Sequence, residues 1–233
     1  MNIALIGYGV MGRLIESLAE RKGHEVVVVI DEESAALSAE ELATKLSTAD
    51  AAIDFSIAGA VVKNVEACCI AGVSLVEGTT GWNPSADKVR TIVENSSGSF
   101  VYGANFSVGV NLFYRVAAYS AELFSRFEEY EVFIEEQHHS RKLDAPSGTA
   151  LKLKSIVERQ VQKEIAVSST RAGNIPGTHR VGFDGTADQL LLEHTARSRE
   201  GFASGAVAAA EWVKGKQGFW EFTDVIDEIL ENR

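Results

Sequence analysis

The sequence predicts an α/β protein in which an N-terminal domain with a parallel sheet precedes a C-terminal α+β domain with a mixed sheet. The first observation is an apolar run at residues 3–6 that continues through a glycine-rich turn into a helical pattern. Such short runs are typical of strands buried on both faces of a parallel sheet. The second is the alternation of apolar runs with helical patterns as far as about residue 105. The third is a succession of strand patterns between residues 166 and 195, which favours a mixed or antiparallel sheet.

These patterns predict two domains. Residues 1–105 form the first domain, residues 106–215 form the second, and a C-terminal helix at about residues 216–233 packs back on the first. A chain of 233 residues, of which 45% are hydrophobic, is long enough for two small domains and can form a substantial core.

The composition argues against several classes of partner. The formal net charge of −11 disfavours nucleic acid and anionic membranes. No apolar run reaches the roughly 18 residues that a membrane-spanning helix needs, and residues 1–6 lack the features of a signal peptide. Cys68 and Cys69 are adjacent in an apolar helical pattern, as expected of structural thiols in a reducing compartment. We therefore expect a cytoplasmic protein.

The turn after the first strand matches the G-x-G-x-x-G pattern of dinucleotide-binding sites. Gly7 permits the tight turn, Gly9 lets the backbone approach a pyrophosphate, and Gly12 lets the following helix pack closely on the strand. The pattern also has its required context, between a strand and a helix. We therefore predict a Rossmann domain that binds a dinucleotide through Gly7, Tyr8, Gly9, Val10, Met11 and Gly12.

The second strand, at residues 25–30, ends at Asp31. An acidic residue in this place is positioned to hydrogen-bond the ribose hydroxyls of the adenosine. The segment Asp31-Glu32-Glu33 offers no Arg or Lys to neutralise a 2′-phosphate. On this ground the sequence favours NADH over NADPH.

Two further loops are small and polar. One contains Gly78, Thr79 and Thr80 after the fourth predicted strand, and the other contains Gly103, Ala104, Asn105 and Phe106 after the fifth. Ligands of open parallel sheets bind at the carboxyl ends of the strands. The first of these loops is therefore expected to line the nicotinamide side of the crevice.

The stretch from residue 135 to residue 150 holds the chemically most informative groups. It contains two imidazoles (His138 and His139), an ammonium group (Lys142), and a Ser147-Gly148-Thr149 turn before an apolar-periodic segment. Ser147 is a predicted N-cap, with Gly148 and Thr149 in the first turn of the helix. The free amides of a helix N-terminus favour an anion. Proton-transfer groups, a cation and an anion site together indicate an enzyme that acts on a small anionic substrate.

Zinc is an alternative use of the two histidines. They are adjacent, and no second histidine at helical spacing or cysteine pair accompanies them. A zinc site needs three or four convergent ligands. We therefore expect no metal.

The chain resembles the 4-hydroxy-tetrahydrodipicolinate reductase (dihydrodipicolinate reductase) family. The resemblance covers essentially the whole chain and is most specific around the two histidines. The matching motifs are Glu136-x-His138-x-x-x-Lys142-x-Asp144-x-Pro146-Ser147-Gly148-Thr149-Ala150, Gly78-Thr79-Thr80-Gly81, Asn105 to Asn111, and Ser198 to Ala206.

The resemblance implies NAD(P)H-dependent reduction of a small cyclic dicarboxylate to tetrahydrodipicolinate, in the diaminopimelate route to lysine. It implies a Rossmann domain and a substrate domain whose sheet builds a homotetramer. His138 is then the proton donor and Lys142 its catalytic partner. His139, Gly148 and Thr149 are substrate contacts, and the Ser147 turn holds a carboxylate. The nucleotide contacts are residues 7–12, 78–80 and 103–106.

The chain departs from the family in three places. It is short between the second and third strands, it has Phe133 where an acidic residue is frequent, and it has Thr178 in the usual Gly-Glu-His. Two other functions stay open. One is a different Rossmann dehydrogenase of amino-acid metabolism, of the aspartate or homoserine kind. The other is a non-catalytic NAD-binding regulator, which predicts loss of His138 or Lys142, although both are present.

Overall fold

A computed structural model describes residues 1–231. Its strands are β1 (Asn2–Ile6), β2 (Glu25–Ile30), β3 (Ala51–Asp54), β4 (Ser74–Glu77), β5 (Ser99–Tyr102), β6 (Glu131–His138), β7 (Ala166–Arg171), β8 (Thr178–Asp184), β9 (Gln189–Thr195) and β10 (Gly218–Glu221). Its α-helices are α1 (Val10–Arg21), α2 (Ala39–Leu46), α3 (Val61–Ala71), α4 (Ala86–Asn95), α5 (Val108–Phe124), α6 (Gly148–Val161), α7 (Glu200–Val213) and α8 (Phe222–Glu231).

The described residues form two compact units. The first contains Met1–Val108 and the part of the chain that begins at Arg199, and the second contains Gly109–Ser198. The first unit is built on a sheet in the order β10-β5-β4-β3-β1-β2, in which every pairing is parallel. The strand order reverses between β1 and β3, as in doubly wound, Rossmann-like domains, and this confirms the predicted fold class.

Alternation along the strands divides the first unit into two layers. Ile3 and Leu5 face a core made with α1, α7 and α8, whereas Ala4 and Ile6 face a core made with α2, α3 and α4. Successive side chains of a strand point to opposite faces, so an apolar run buries both faces of the sheet. All carboxyl ends of the parallel strands lie at one edge, where the loops after β1, β3, β4 and β5 come together.

Helix α7 belongs to the first unit, whereas residues 106–215 were all predicted to lie in the second domain. Ala203, Ala206 and Ala210 are fully buried in the first unit's core. Gly205 packs so closely against the backbone of the loop after β5 that an added Cβ would stand 1.7 Å from the carbonyl oxygen of Phe106. Small residues therefore allow α7 to pack closely on the first unit. An alanine-rich pattern does not predict which of two sheets a helix covers, so the sequence did not assign α7 to the first unit.

The predicted C-terminal helix at residues 216–233 is in fact a strand followed by a helix. Strand β10 pairs in parallel with β5, with Phe219 opposite Phe100. Helix α8 then begins at Phe222, and residues 232–233 lie outside the described part of the chain. The strand passes into the helix without a glycine or proline between them, so the sequence lacks the usual boundary signal.

The second unit contains the mixed sheet that the sequence predicts. Its order is β7-β6-β8-β9, with β6 parallel to β7 and antiparallel to β8, and with β8 antiparallel to β9. Helices α5 and α6 supply the apolar side chains that cover one face of this sheet, where Ile134, Val181 and Phe183 are buried. No helix among residues 1–231 is long and apolar enough to cross a membrane.

Candidate active site

The glycine-rich turn has the geometry that the fingerprint predicts. Gly7 has φ +86°, and an added Cβ would stand 2.7 Å from the carbonyl oxygen of Phe55. At Gly12 the Cβ would stand 2.3 Å from the carbonyl oxygen of Gly7. At Gly9, by contrast, it would meet nothing within 4 Å. No side chain caps α1, so its first amides face the open side of the turn. A pyrophosphate fits such an N-terminus.

A cleft of about 730 Å³ opens beside this turn within the first unit. Its lining includes Gly7, Gly9 and Asp31, as the sequence predicts, and also Arg13 and Lys63. The Asp31 carboxylate accepts a hydrogen bond from the Ser34 amide at 3.0 Å, and this bond lowers the pKa of Asp31. The two cations were missed because they lie on helices α1 and α3, away from the segment that follows Asp31.

The loops after β3 and β4 are joined by hydrogen bonds. The Ser56 amide donates to Asp54 Oδ1 at 2.7 Å and to Thr79 Oγ1 at 3.1 Å. The Thr79 amide donates to Glu77 Oε1 at 2.7 Å. Ser56 does not cap α3, since a short 3₁₀ turn at Ala58–Ala60 precedes that helix.

A second cluster of polar groups forms in the second unit, on the face of the sheet covered by the helices. Strand β6 extends as far as His138, and the alternation along it places Glu136 and His138 on the same face. The strand register puts His179 of β8 opposite Glu136, and Arg171 of β7 opposite His138. The sequence identifies His138, but Arg171 and His179 come from other strands and were missed.

Glu136 is the centre of this cluster. Its side chain is fully buried, with Arg171 Nη2 2.6 Å from Oε1 and the His138 imidazole Nδ1 in contact with Oε2. Burial raises the pKa of Glu136, but the Arg171 hydrogen bond and the neighbouring charges outweigh it, and the net pKa is lowered. Glu136 is therefore an ionised carboxylate that orients the His138 ring. The sequence signal that could have identified Glu136 is a carboxylate two residues before a histidine on one predicted strand.

Opposing effects act on the proton affinity of His138. Burial is the largest and lowers its pKa, the Glu136 carboxylate raises it, and the charges of Lys142 and Arg171 lower it. The net pKa lies below the ordinary value for histidine. The protonated ring is thus a somewhat stronger acid than a free imidazolium, which suits a proton donor.

The Ser147 turn begins a helix as predicted. Ser147 is the N-cap of α6, and its Oγ accepts a hydrogen bond from the Ala150 amide at 3.2 Å. The same Oγ lies 3.1 Å from Nε2 of the buried His179. His179 therefore fixes the N-cap, while the amides of Gly148 and Thr149 belong to the open first turn.

Lys142 and His139 lie in the loop that follows β6. Lys142 Nζ is 2.7 Å from Asp144 Oδ1, and the Lys142 amide donates to the His139 carbonyl at 3.1 Å. The ring nitrogen Nδ1 of His139 is buried and has no hydrogen-bond partner among residues 1–231. A buried polar atom of this kind is expected where a ligand completes the hydrogen bonding.

The cluster also raises the question of a metal. Glu136, His138 and His179 each offer a ligand atom, and these atoms lie within 4.8 Å of one another. Arg171 already forms an ion pair with Glu136, and the positive charges of Arg171 and Lys142 lower the pKa of His138. Positive charge at this distance opposes a bound cation. The arrangement therefore favours proton transfer and anion binding.

Acid is expected to destabilise the protein through His179. Burial is the largest cause that lowers its pKa, to about 4. An unfolded histidine has a pKa of about 6.5, so between these values the unfolded chain binds a proton that the folded chain does not. The free energy of unfolding should therefore fall by about 3 kcal/mol as the pH decreases from about 6.5 to about 4.

Urea denaturation at several pH values measures this effect. The variant His179→Gln should lose this part of the pH dependence, whereas His24→Gln, at a histidine of the first unit, should keep it. Equal slopes in the wild type and in His179→Gln would contradict the assignment.

The fold of the first unit and the polar groups of the second are those of a dinucleotide-dependent oxidoreductase. The chain belongs to the dihydrodipicolinate reductase family. The family model of the N-terminus matches residues 1–106 and that of the C-terminus matches residues 109–226. The family's reductases depend on NAD(P) and carry a Rossmann-type binding domain.

Individual relatives agree with this assignment. A 4-hydroxy-tetrahydrodipicolinate reductase of Christiangramia forsetii is 39% identical over 100% of both chains. One from Archaeoglobus fulgidus is 35% identical over 97% of this chain and 100% of its own. Among solved structures, a dipicolinate-bound dihydrodipicolinate reductase from Paenisporosarcina is similar, with a TM-score of 0.80 and 21% identity over 97% of this chain and 99% of that chain. An amine dehydrogenase of Mycobacterium smegmatis shares the fold, with a TM-score of 0.61 and 10% identity over 96% and 95% of the two chains.

Proposed function

We propose that this protein reduces 4-hydroxy-tetrahydrodipicolinate to tetrahydrodipicolinate with NAD(P)H, in the diaminopimelate route to lysine. The observation that carries the proposal is the Glu136–His138 pair beside Lys142 in the same unit as the Ser147 N-cap. The names of the relatives support the reaction, and the Paenisporosarcina reductase, which shares the fold, binds dipicolinate.

The second unit supplies the groups that the ring substrate requires. The ring substrate loses its 4-hydroxyl group as water, which leaves a conjugated ring. When bound, the dinucleotide supplies a hydride to this ring, and negative charge then develops on it. His138 donates the proton that neutralises this charge, and Glu136 holds the imidazole in place. Lys142 stabilises the developing charge or a ring carboxylate. The amides of Gly148 and Thr149 hold a carboxylate at the N-terminus of α6.

The first unit holds the dinucleotide. Gly9 and the N-terminus of α1 would hold the pyrophosphate, and Asp31 would accept hydrogen bonds from the adenosine ribose. The loops after β4 and β5 contact the nicotinamide half. The proposed contacts are residues 7–12, Asp31, 78–80 and 103–106.

We further propose a cytoplasmic homotetramer. The free thiols Cys68 and Cys69 are consistent with a reducing compartment. On the sheet of the second unit, Leu191 is 45% exposed and lies opposite Gly182 in the register of β8 and β9. Phe133 packs over Gly182 on the same face. This face carries the apolar groups that contacts with other subunits can cover.

NADH is the proposed preferred cofactor, and the variant Asp31→Ser tests this preference. The dissociation constant for NADH should rise about tenfold, because a charge-assisted hydrogen bond to the ribose is lost. NADPH should bind as well as before or better, because a carboxylate no longer repels the 2′-phosphate and Arg13 and Lys63 line the same cleft.

Fluorescence titration with both dinucleotides measures the change. Glu33→Gln removes a carboxylate from the same cleft without removing the ribose acceptor, and it should leave the NADH affinity within about threefold of the wild type. A wild type that prefers NADPH would overturn the NADH proposal.

Turnover is the direct test of the proposed reaction. The substrate is made in the cuvette from pyruvate and aspartate semialdehyde by the preceding synthase, and oxidation of NADH and NADPH is followed by absorbance. Lys142→Ala should lower kcat/KM by about 10²- to 10³-fold, because the site loses the cation that stabilises the developing charge. NADH affinity should stay unchanged.

The neighbouring variant Arg141→Ala is the matched control. Arg141 is exposed and hydrogen-bonds Asn174, and its loss should alter kcat/KM by less than about threefold. A folded wild type that binds NADH but does not turn over this substrate would show that the substrate is different.

A further inference from the structure

Two carboxyl groups are buried side by side in the first unit. Asp54 is the last residue of β3 and Glu77 is the last residue of β4, and the parallel register places them opposite each other. Both side chains belong to residues with 0% exposure. Carboxylates are almost never fully buried without a partner, so this pair requires an explanation.

The pair is hydrogen-bonded to both loops that follow these strands. Asp54 accepts from the Ser56 amide, and its Oδ2 accepts from Asn64 Nδ2 at 2.7 Å. Glu77 accepts from the Thr79 amide, while Thr79 Oγ1 lies 3.4 Å from Asp54 Oδ1. The amides of Ser56 and Thr79 are thus each held by one acid. Ser56 and Asn64 also line the cleft beside the glycine-rich turn.

The burial and the opposed positions of the two acids favour one proton held between them. Glu77 Oε2 is buried, and no N–H or O–H donor among residues 1–231 reaches it. The parallel register places the Glu77 carboxyl beside that of Asp54 in the same buried site, where the two can form a hydrogen bond. Such a bond exists only if one carboxyl carries a proton. Burial raises the pKa of both acids, and that of Glu77 lies well above its ordinary value.

We propose that Asp54 and Glu77, joined by one shared proton, are positioning residues that hold the loops after β3 and β4 in the conformation that binds the dinucleotide. This inference rests on the proposed function, which assigns Gly78, Thr79 and Thr80 to the cofactor. The pair acts through Ser56 and Thr79 and does not itself touch the cofactor. The singly protonated pair, which carries one negative charge, is what keeps the two loops together.

Loss of the shared proton should loosen these loops. Two adjacent carboxylates in a buried site repel each other strongly. Two other titratable groups face the pair. They are the Cys68 thiol of α3 and the Tyr102 phenol, which lies opposite Glu77 in the register of β4 and β5. Burial raises the pKa of both groups above the ordinary value, so both are neutral where the pair holds its proton. The remaining neighbours are Ser56, Asn64 and Thr79, which carry no charge. NADH affinity should therefore fall as the pH rises into the alkaline range.

The test is a set of NADH titrations of the full chain from about pH 6 to about pH 10, with the wild type and two variants of Glu77. Glu77→Val removes both hydrogen bonds of the side chain and should raise the dissociation constant at pH 7 about tenfold. Glu77→Gln should rescue it to within about twofold, since the amide donates to Asp54 and its carbonyl accepts from Thr79. The glutamine cannot lose a proton, so its alkaline loss of affinity should be absent.

Kinetics separate this role from a general loss of structure. In Glu77→Val the KM for NADH should rise about tenfold, whereas the KM for the dicarboxylate should change by less than about twofold. Glu66→Gln is the matched control, since Glu66 is a half-buried acid on α3 that pairs with Lys88. This variant should lose NADH affinity at alkaline pH as the wild type does. If Glu77→Val does not fold, the comparison of Glu77→Gln with the wild type still decides the question.

The inference would be overturned if Glu77→Gln lost NADH affinity at alkaline pH as the wild type does. A folded Glu77→Val variant with the wild-type affinity for NADH would also overturn it. A wild type that binds neither dinucleotide would overturn it together with the cofactor assignment. A wild type that binds NADH but does not reduce the proposed substrate would refute the proposed reaction alone, because these titrations measure only binding.

Discussion

Replacing His138 by glutamine is expected to lower kcat by about 10²- to 10⁴-fold, the usual contribution of a positioned general acid. Glutamine fills a similar volume and can still donate a hydrogen bond to Glu136, so the fold should persist. It cannot deliver a proton to the ring. Steady-state turnover with saturating NADH measures the loss, and NADH titration should show an unchanged dissociation constant.

His194→Gln is the matched control for this experiment. His194 lies on β9 in the same sheet, opposite His179, with its ring centroid 5.9 Å from that of Phe113. It has no proposed role in proton transfer, so kcat should stay within about threefold of the wild type. A His138→Gln variant with nearly full activity would remove His138 from the mechanism.

Replacing Glu136 by alanine is expected to destabilise the protein by about 3–5 kcal/mol, because it leaves Arg171 and His138 without their buried partner. Arg171 is only 16% exposed in its side chain, so water replaces the lost carboxylate poorly. Urea denaturation at neutral pH measures the change. The neighbouring variant Glu135→Ala should cost less than about 1 kcal/mol, because Glu135 is more exposed and pairs with Arg180 at 3.5 Å.

The milder variant Glu136→Gln separates the electrostatic role of Glu136 from its structural one. The Glu136 carboxylate raises the pKa of His138, so its removal should lower that pKa further. A smaller fraction of His138 is then protonated at neutral pH. The fall of kcat with rising pH should begin about one pH unit lower than in the wild type. An unchanged pH profile would show that Glu136 only packs against the ring.

The amino-acid sequence by itself determined the features that lie within one contiguous stretch. The turn from Gly7 to Gly12 is one, since a positive φ and two close backbone approaches leave no room for other side chains. The N-cap at Ser147 is another, because its hydrogen bond spans three residues. His138 and Lys142 could be chosen as candidate site residues for the same reason, since they precede that cap within one stretch of the chain.

The partners of these groups could not be predicted in the same way. Glu136 meets Arg171 and His179 only because β6 pairs with β7 and β8 in one particular register. A shift of one residue would turn each of these side chains to the other face of the sheet. In the first unit, Asp54 and Glu77 end separate strands, and Lys63 joins Asp31 in one cleft from a distant helix.

Strand β10 and helix α7 also depended on the tertiary structure. Strand β10 gains its hydrogen bonds from β5, more than a hundred residues earlier in the chain, and α7 is buried by strands of the first unit. Local conformation follows from neighbouring residues and their backbone preferences. Pairing between distant segments follows from packing of the whole core, and it was this packing that decided which charges surround the proposed proton donor.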